Sequence, residues 1–502
     1  MAVLFGGLVR FMPAAVTRFP PNDGGMFYTM AADLSANHYR LPEVTTYNNL
    51  DLPYAYPPFG IYVASLLADV MRIPLLAVFL WLPPLLAALA IPAFYLLARA
   101  ILNDKLRASL AALFFALTPG QYDWNIMGGG VTRAFGMLFL LLAAFYVLRL
   151  FQDGKPKLLL AAIFFCSLAV LSHPEVGLQT AGLCAVLWLF FGRTGRSALH
   201  AFLVALGVTL LTAPWWGTVI FYHGLVPFLS AIQTGQHTSV SWLPLLLGLF
   251  SSGEFLPLLL VLRLAGFIYA IWKRQFVFII LIFAPALFDP RSAGTVADLS
   301  LCILASIGFL DFLPALLQKI RKVELRPILD TRVGASVLFI LAFTLFLECG
   351  LLNFRLINTT LSVDERDVMT WVREKLPTSQ NFFLVTGRPY SMSDPVQEWF
   401  PTLTNQHSQT TLQGLEWTLD AQFNARLEDL VALQACPNLV CVETWSARTG
   451  LTYDYLWVNK FPADNSSEVA RRLREVLADL NHSPSYRLIH ESESAAIFER
   501  IK

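Results

Sequence analysis

The chain is poor in charge: Asp, Glu, Lys and Arg make up 14% of its 502 residues, against about 25% in ordinary soluble domains. With 56% apolar residues and a mean hydropathy of +0.57, that shortage excludes a soluble globular protein and places the chain in a bilayer. Net charge is lacking too. The 36 Lys and Arg nearly cancel the 35 Asp and Glu, so no global field argues for nucleic acid or for a strongly charged partner. Internal repeats and low-complexity tracts are missing, which speaks against solenoids and disordered tails. Cysteine is sparse. Of the six, Cys166, Cys184, Cys302 and Cys349 sit inside apolar runs and read as small hydrophobes. Only Cys436 and Cys441 stand in polar sequence, spaced for a short-loop structural disulfide.

What is present is a series of apolar runs between Ile73 and Leu352, following a first candidate span over Met1–Thr17. Basic clusters at Lys105/Arg107, Lys155/Lys157, Arg193/Arg196, Lys273/Arg274 and Lys319/Arg321/Lys322 fall at every second junction. Placing those clusters on the cytoplasmic side puts segments 18–72, 118–131, 173–175, 216–241 and 289–297, and everything after Leu352, outside. The stretch from Tyr56 to Val70 would invert that alternation if it crossed. It is therefore expected to be a membrane-surface helix opened by Pro57-Pro58. The first span carries Arg10 and Pro13 and lacks a small-residue cleavage site after it, so a start further upstream is expected rather than a signal peptide.

After Leu352 the composition becomes that of a soluble domain. From Arg355 onward there are 14 basic and 19 acidic residues, against 22 and 16 before it. Helices are expected over Asp364–Lys375 and Glu468–Leu480, strands over Phe382–Val385 and Leu439–Glu443, and a terminal hairpin over Tyr486–His490 and Ala495–Glu499. Trp399, Trp417, Trp445 and Trp457, with Tyr453 and Tyr455, either fill the core of this domain or form a sugar-stacking surface. The expected fold class is an α-helical polytopic membrane protein of about eleven transmembrane helices with a C-terminal extracytoplasmic α/β domain. Residues 1–354 form the membrane domain, with the outer loop 18–72, and residues 355–502 form the soluble one. A bacterial plasma (inner) membrane is the expected location, with multiple passes.

Ionisable groups at the outer face are the candidates for chemistry, because charge near a bilayer is costly. The first outer loop reads Phe19-Pro20-Pro21-Asn22-Asp23-Gly24-Gly25-Met26-Phe27-Tyr28. Asp23 there can cap the helix that begins near Gly24, or act on a ligand that approaches the glycines closely. Asp123 lies in the next outer loop. Arg133 opens a span after Gly128-Gly129-Gly130, either as an interface anchor or to bind an anionic headgroup. His173-Pro174-Glu175 sits in a tight turn, where His173 and Glu175 either serve a site or satisfy each other. Arg291, in Asp289-Pro290-Arg291-Ser292, suits phosphate, or else pairs with Asp289 or Asp298. Gln236, His237 and Glu254 lie in the longest later outer loop.

The order of these elements resembles a known superfamily. A Pro-x-Asp-Gly-like loop after the first span leads to a short helix ending Ala32-Asp33-Leu34, then Tyr56-Pro57-Pro58-Phe59-Gly60-Ile61-Tyr62, then a long span closing Tyr95-Leu96-Leu97-Ala98-Arg99. This is similar to the GT-C membrane glycosyltransferases, which use polyprenyl-phosphate sugars and include the protein O-mannosyltransferases and the lipid A aminoarabinose transferases. The resemblance implies that Asp23 is the general base, with inversion at the anomeric carbon. It also implies a second acidic residue in the next outer loop, a place Asp123 fills, and an Arg near the position of Arg291 that grips the lipid phosphate; His173, Glu175, Arg133, Tyr28 and Tyr56 are further expected substrate-binding residues. A divalent cation, Mg or Mn, is implied for one branch, with Asp23, Asp123 and Glu175 as its candidate ligands. The implied partners are a polyprenyl-phosphate sugar donor, membrane lipid, and a glycan, lipid or protein acceptor, with no nucleic acid. In the O-mannosyltransferase branch a Glu follows the acidic residue. Here Gly24 does, which counts against a protein-hydroxyl acceptor. A transporter or lipid flippase, and a catalytically inactive GT-C-like scaffold, are the alternatives.

Overall fold

The structure, a computed structural model, describes residues 1–234, 257–316, 331–461 and 467–501. Gln236, His237 and Glu254 lie outside the described residues. Among the described residues six helices are long and apolar enough to cross a membrane: Leu75–Leu102, Gly130–Asp153, Pro174–Phe191, Gly195–His223, Ala293–Leu316 and Arg332–Ile357. Five shorter apolar helices accompany them, among them Ala2–Thr17, Phe59–Met71 and Pro156–Ser172. The interior of the bundle is built on Leu75–Leu102, Lys105–Ala116 and Gly130–Asp153, where Phe94 stacks on Phe115 at 4.6 Å. Asp104 caps the second of these, accepting from the amides of Leu106 and Arg107.

Two buried arginines hold the bundle together by polar contacts. Arg10, fully buried, donates to the carbonyl of Ala116 at 2.6 Å and lies over the Tyr122 ring. The first helix is thereby tied to the carbonyl end of Lys105–Ala116, where a cation complements the helix dipole. Arg263 stands 3.8 Å from Asp298.

The helix opened by Pro58 runs over Phe59–Met71. It packs against the preceding helix, Gly25–Ala36, where Ser65 donates to the carbonyl of Ala31 at 2.9 Å. Leu66, Val70 and Met71 remain exposed. These two helices and the intervening loop form a shelf between the bundle and the C-terminal domain. Asn48 makes that contact two-sided, with its side chain bonding both the carbonyl and the amide of Ser408 in the manner of a paired strand.

The C-terminal domain is a five-stranded mixed sheet ordered His407–Ser408, Asn381–Val385, Tyr455–Asn459, Ala495–Arg500 and Tyr486–Glu491, with helices on both faces. The first three strands run parallel and the last two close as an antiparallel hairpin. Val363–Lys375 begins with a reciprocal capping box between Ser362 and Glu365. The last bundle helix continues to Ile357, so residue 354, where the composition changes, falls within its final turn.

Two local expectations fail here. Leu439–Glu443 belongs to a helix, Leu439–Thr449, because Asn438 accepts from the amide of Cys441 and starts a helical turn. The apolar run that reads as a strand there is split by helical periodicity, with Leu439 and Val442 buried and Val440 exposed. Conversely the central strand, Tyr455–Asn459, lies in a stretch taken only for aromatic clustering. Trp399, Trp417, Trp445 and Trp457, with Tyr453 and Tyr455, are all buried. They build core, and the sugar-stacking surface is not formed. Cys436 and Cys441 are joined as a disulfide, with Cα atoms 5.5 Å apart.

Candidate functional site

Asp23 lies where the shelf, the bundle and the C-terminal domain meet. Its carboxylate is 6% exposed and is gripped by a two-pronged guanidinium: Arg133 Nη1 donates to Oδ2 at 2.7 Å and Nη2 to Oδ1 at 2.9 Å. The amide of Gly129 adds a third bond to Oδ1 at 3.0 Å. The glycine triplet before Arg133 permits this closeness. A Cβ on Gly128 would stand 2.0 Å from the Asp23 carbonyl oxygen, and one on Gly129 would stand 2.6 Å from Oδ2. Arg133 is held from behind by the Trp124 carbonyl, 2.9 Å from Nε, and by the Trp124 ring, 5.0 Å from its guanidinium carbon.

Asp23 is not the cap of the helix after it. That task falls to Glu398, on the C-terminal domain helix Pro395–Thr404, whose Oε1 accepts from the amides of Gly24 at 3.2 Å and Met26 at 3.3 Å. Glu398 is 2% exposed. Burial and then the nearby Asp23 charge push its carboxyl up to about 8. The neighbouring Trp399 donates from its ring to the carbonyl of Asn22 at 2.9 Å. Gly24 adopts φ of +128° and meets Gly128, while Gly25 leaves room for the Glu398 carbonyl. The double glycine thus serves the docking of two chain segments.

On the other side of Arg133 stands Tyr56, whose hydroxyl shares a 3.3 Å hydrogen bond with Thr132. Burial raises its phenol above the usual value, and Arg133, Glu175 and Asp23 all lie in its electrostatic reach. The His173 ring stands edge-on to Tyr56, 6.0 Å between centroids. Glu175 pairs with Arg291 at 3.4 Å. Ser292 bonds Asp289, and Gln179 reaches from the bundle to the carbonyls of Pro285 and Asp289, fixing the turn that carries Arg291. Glu416 of the C-terminal domain lies within electrostatic reach of Arg291, and burial raises its carboxyl.

Asp23, Arg133, Tyr56, His173, Glu175 and Arg291 therefore share one region, with Asp123 and Tyr28 at its edge, Asp123 within electrostatic reach of Arg133. Asp123 caps its own turn through the Trp124 amide and lines a cavity of about 320 Å³ together with Asn353, Arg355 and Leu356. Burial pushes its carboxyl up to about 6. Tyr28 packs between Phe79 and Trp399. The described candidate ligands for the metal implied for one branch are not gathered on one point. Among the described residues no group of three His, Cys, Asp or Glu side chains is placed to hold an ion. Asp23 and Glu175 each face a guanidinium rather than one another. Glu398, Glu416 and Gln179 are the residues that the sequence reading did not single out. Gln179 had one usable signal, a polar group within an otherwise apolar stretch.

No curated protein matches the sequence. Among solved structures, ArnT from Cupriavidus metallidurans in the apo state is similar over 98% of this chain and 95% of its own, at 16% identity and a TM-score of 0.53. The same protein bound to undecaprenyl phosphate gives 15% identity and 0.54, covering 99% of this chain and 97% of that one. The arabinofuranosyltransferase AftD from Mycobacteria gives 14% identity and 0.57, with all of this chain matching 40% of that one. At such identities the likeness shows the fold alone. The sequence model described as "Oligosaccharyl transferase STT3, N-terminal" matches residues 43–419, a segment that contains Arg133, Glu175, Arg291 and Glu398 and begins after Asp23. With most of its length inside that match, the chain belongs to the STT3 family of GT-C membrane glycosyltransferases.

Proposed function

We propose that this glycosyltransferase moves a sugar from a polyprenyl-phosphate-linked donor to an extracytoplasmic acceptor, with inversion at the anomeric carbon and Asp23 as the general base. The observation that carries the reading is the pairing of two acids with two arginines, Asp23 with Arg133 and Glu175 with Arg291, around Tyr56. A carboxylate offers about four lone-pair positions. Three on Asp23 are taken by Arg133 and Gly129, leaving one on Oδ2. That oxygen accepts the acceptor's hydroxyl proton as the new carbon–oxygen bond forms. The bond between the anomeric carbon and the phosphate oxygen breaks, and its electron pair leaves with the phosphate. Arg291, half exposed beside Glu175, turns its guanidinium to that phosphate.

The orientation follows the same reading, with residues 18–72 and the domain 355–502 outside a bacterial plasma membrane. An ArnT structure with undecaprenyl phosphate supports the choice of donor class. The engagement of Asp23 by three donors also favours a second reading, a catalytically inactive scaffold. Measuring transfer from a polyprenyl-phosphate sugar in proteoliposomes by the parent and by Asp23→Asn separates the two. Loss of transfer in the variant is expected. Equal transfer would remove Asp23 as base, and a silent parent across donor sugars would favour the scaffold.

A further inference from the structure

The peptide units on both sides of Asp23 are held by consecutive residues of one helix in the C-terminal domain. Trp399 bonds the carbonyl of Asn22, and Glu398 bonds the amides of Gly24 and Met26. Thr402, one turn on, donates to the carbonyl of Gly25 at 2.9 Å, and Tyr47 donates to the backbone carbonyl of Glu398 at 2.8 Å. The Asp23 side chain, by contrast, is held among the described residues from the bundle. Side chain and backbone of one residue are thus fixed by two different domains.

We propose that Glu398 is a positioning residue that sets the Asp23 loop from the C-terminal domain, making that domain part of the active site. The inference rests on the reading of Asp23 as the base. A carboxyl at this place satisfies two otherwise orphaned helix amides, and it does so as a buried group beside a second acid. At neutral pH it is mostly a neutral acid, accepting through Oε1 and adding no second negative charge beside Asp23. The charged or titratable groups facing it are Asp23, with Arg133 behind, Glu416 and Tyr47. Ionisation above pH of about 8 places a negative charge against Asp23, so the transfer rate carries an inflection that belongs to Glu398.

The test uses the full chain in proteoliposomes with three variants: Glu398→Gln, which keeps the accepting oxygen; Glu398→Asp, which withdraws it by one methylene; and Glu398→Ala. Hydrogen exchange at the Gly24 and Met26 amides is read beside kcat and KM for transfer from a polyprenyl-phosphate sugar. Glu398→Gln is expected to keep the amides protected and to lose the alkaline inflection. Glu398→Asp and Glu398→Ala are expected to lose protection and to lower kcat by about tenfold to a hundredfold, with KM changing far less. Unchanged exchange in both Asp and Ala variants overturns the proposal, as does a Gln variant that loses protection like Ala. If Glu398→Ala does not fold, the contrast of Asp with Gln decides. Exchange needs no turnover. Normal transfer by Asp23→Asn, with the amides loosened in Glu398→Asp, overturns the base reading and leaves the hold of Glu398 on the loop standing.

Discussion

Arg133 clamps both carboxylate oxygens of Asp23 across 110 residues of sequence, at 2.7 and 2.9 Å. An arginine that opens a span is ordinarily an interface anchor. Here its planar fork matches a carboxylate, and both partners are largely shielded from solvent.

Arg133→Ala leaves Asp23 buried without its counter-charge, which costs about 3–5 kcal/mol. A clear fall in the melting temperature of the detergent-solubilised protein is expected. Arg133→Lys keeps the charge and loses the fork, so it should melt closer to the parent while transferring sugar at least about tenfold more slowly. A melting temperature unmoved by Arg133→Ala would contradict the clamp.

Arg291 behaves differently because its side chain is 51% exposed. Exposed ion pairs contribute about 0–1 kcal/mol, so Arg291→Ala should scarcely change thermal stability. If the guanidinium receives the donor phosphate, KM for the donor rises by about tenfold to a hundredfold. Steady-state kinetics against donor concentration checks this, and a drop in stability with unchanged donor KM would mark Arg291 as structural.

Glycine substitutions separate packing from chemistry. Gly128→Ala drives a Cβ to 2.0 Å from the Asp23 carbonyl oxygen, and Gly24→Glu forces a side chain onto φ of +128° facing Gly128. Each should destabilise by about 2 kcal/mol or more. Gly24→Glu is therefore expected to weaken the fold rather than to restore an acidic pair after Asp23. Gly217→Ala, with nothing within 4 Å of its Cβ and helical surroundings, should be neutral or slightly stabilising. Parallel thermal melts of the three proteins read the contrast.

The Glu398 carboxyl, raised in the folded chain to about 8 from an ordinary 4.5, fixes the sign of a pH effect. Between those values the folded state keeps a proton that the unfolded state has released, so stability falls as pH rises through the window and levels off above it. The difference in melting temperature between parent and Glu398→Gln should therefore grow from pH of about 4.5 to about 8, with Gln the more stable at the upper end. A difference that stays flat across that range would refute the assignment.

The residues of the site were legible one at a time. Asp23, Arg133, Glu175 and Arg291 stand out because ionisable groups beside apolar runs are costly and few. Their partners were not legible. Glu175 reads as a mate for His173 two positions away and Arg291 for Asp289, yet the two bond each other because Gln179 fixes the turn between them. Glu398 sits in a stretch without any motif, and it reaches Gly24 over 374 residues.

The sequence by itself determined what acts over a few residues. Apolar runs set the spanning helices, the capping box at Ser362 set a helix start, and alternation set the terminal hairpin. Even locally it faltered where two signals competed, as at Asn438, whose capping bond outweighs the strand-like run that follows. Tertiary structure alone decided which acid meets which arginine, and that Glu398 rather than Asp23 caps the helix after the double glycine. The physical reason is that helix and strand formation follow the periodicity of neighbouring residues, whereas a buried charge takes whichever counter-charge or orphan amide the packing of distant segments brings within reach.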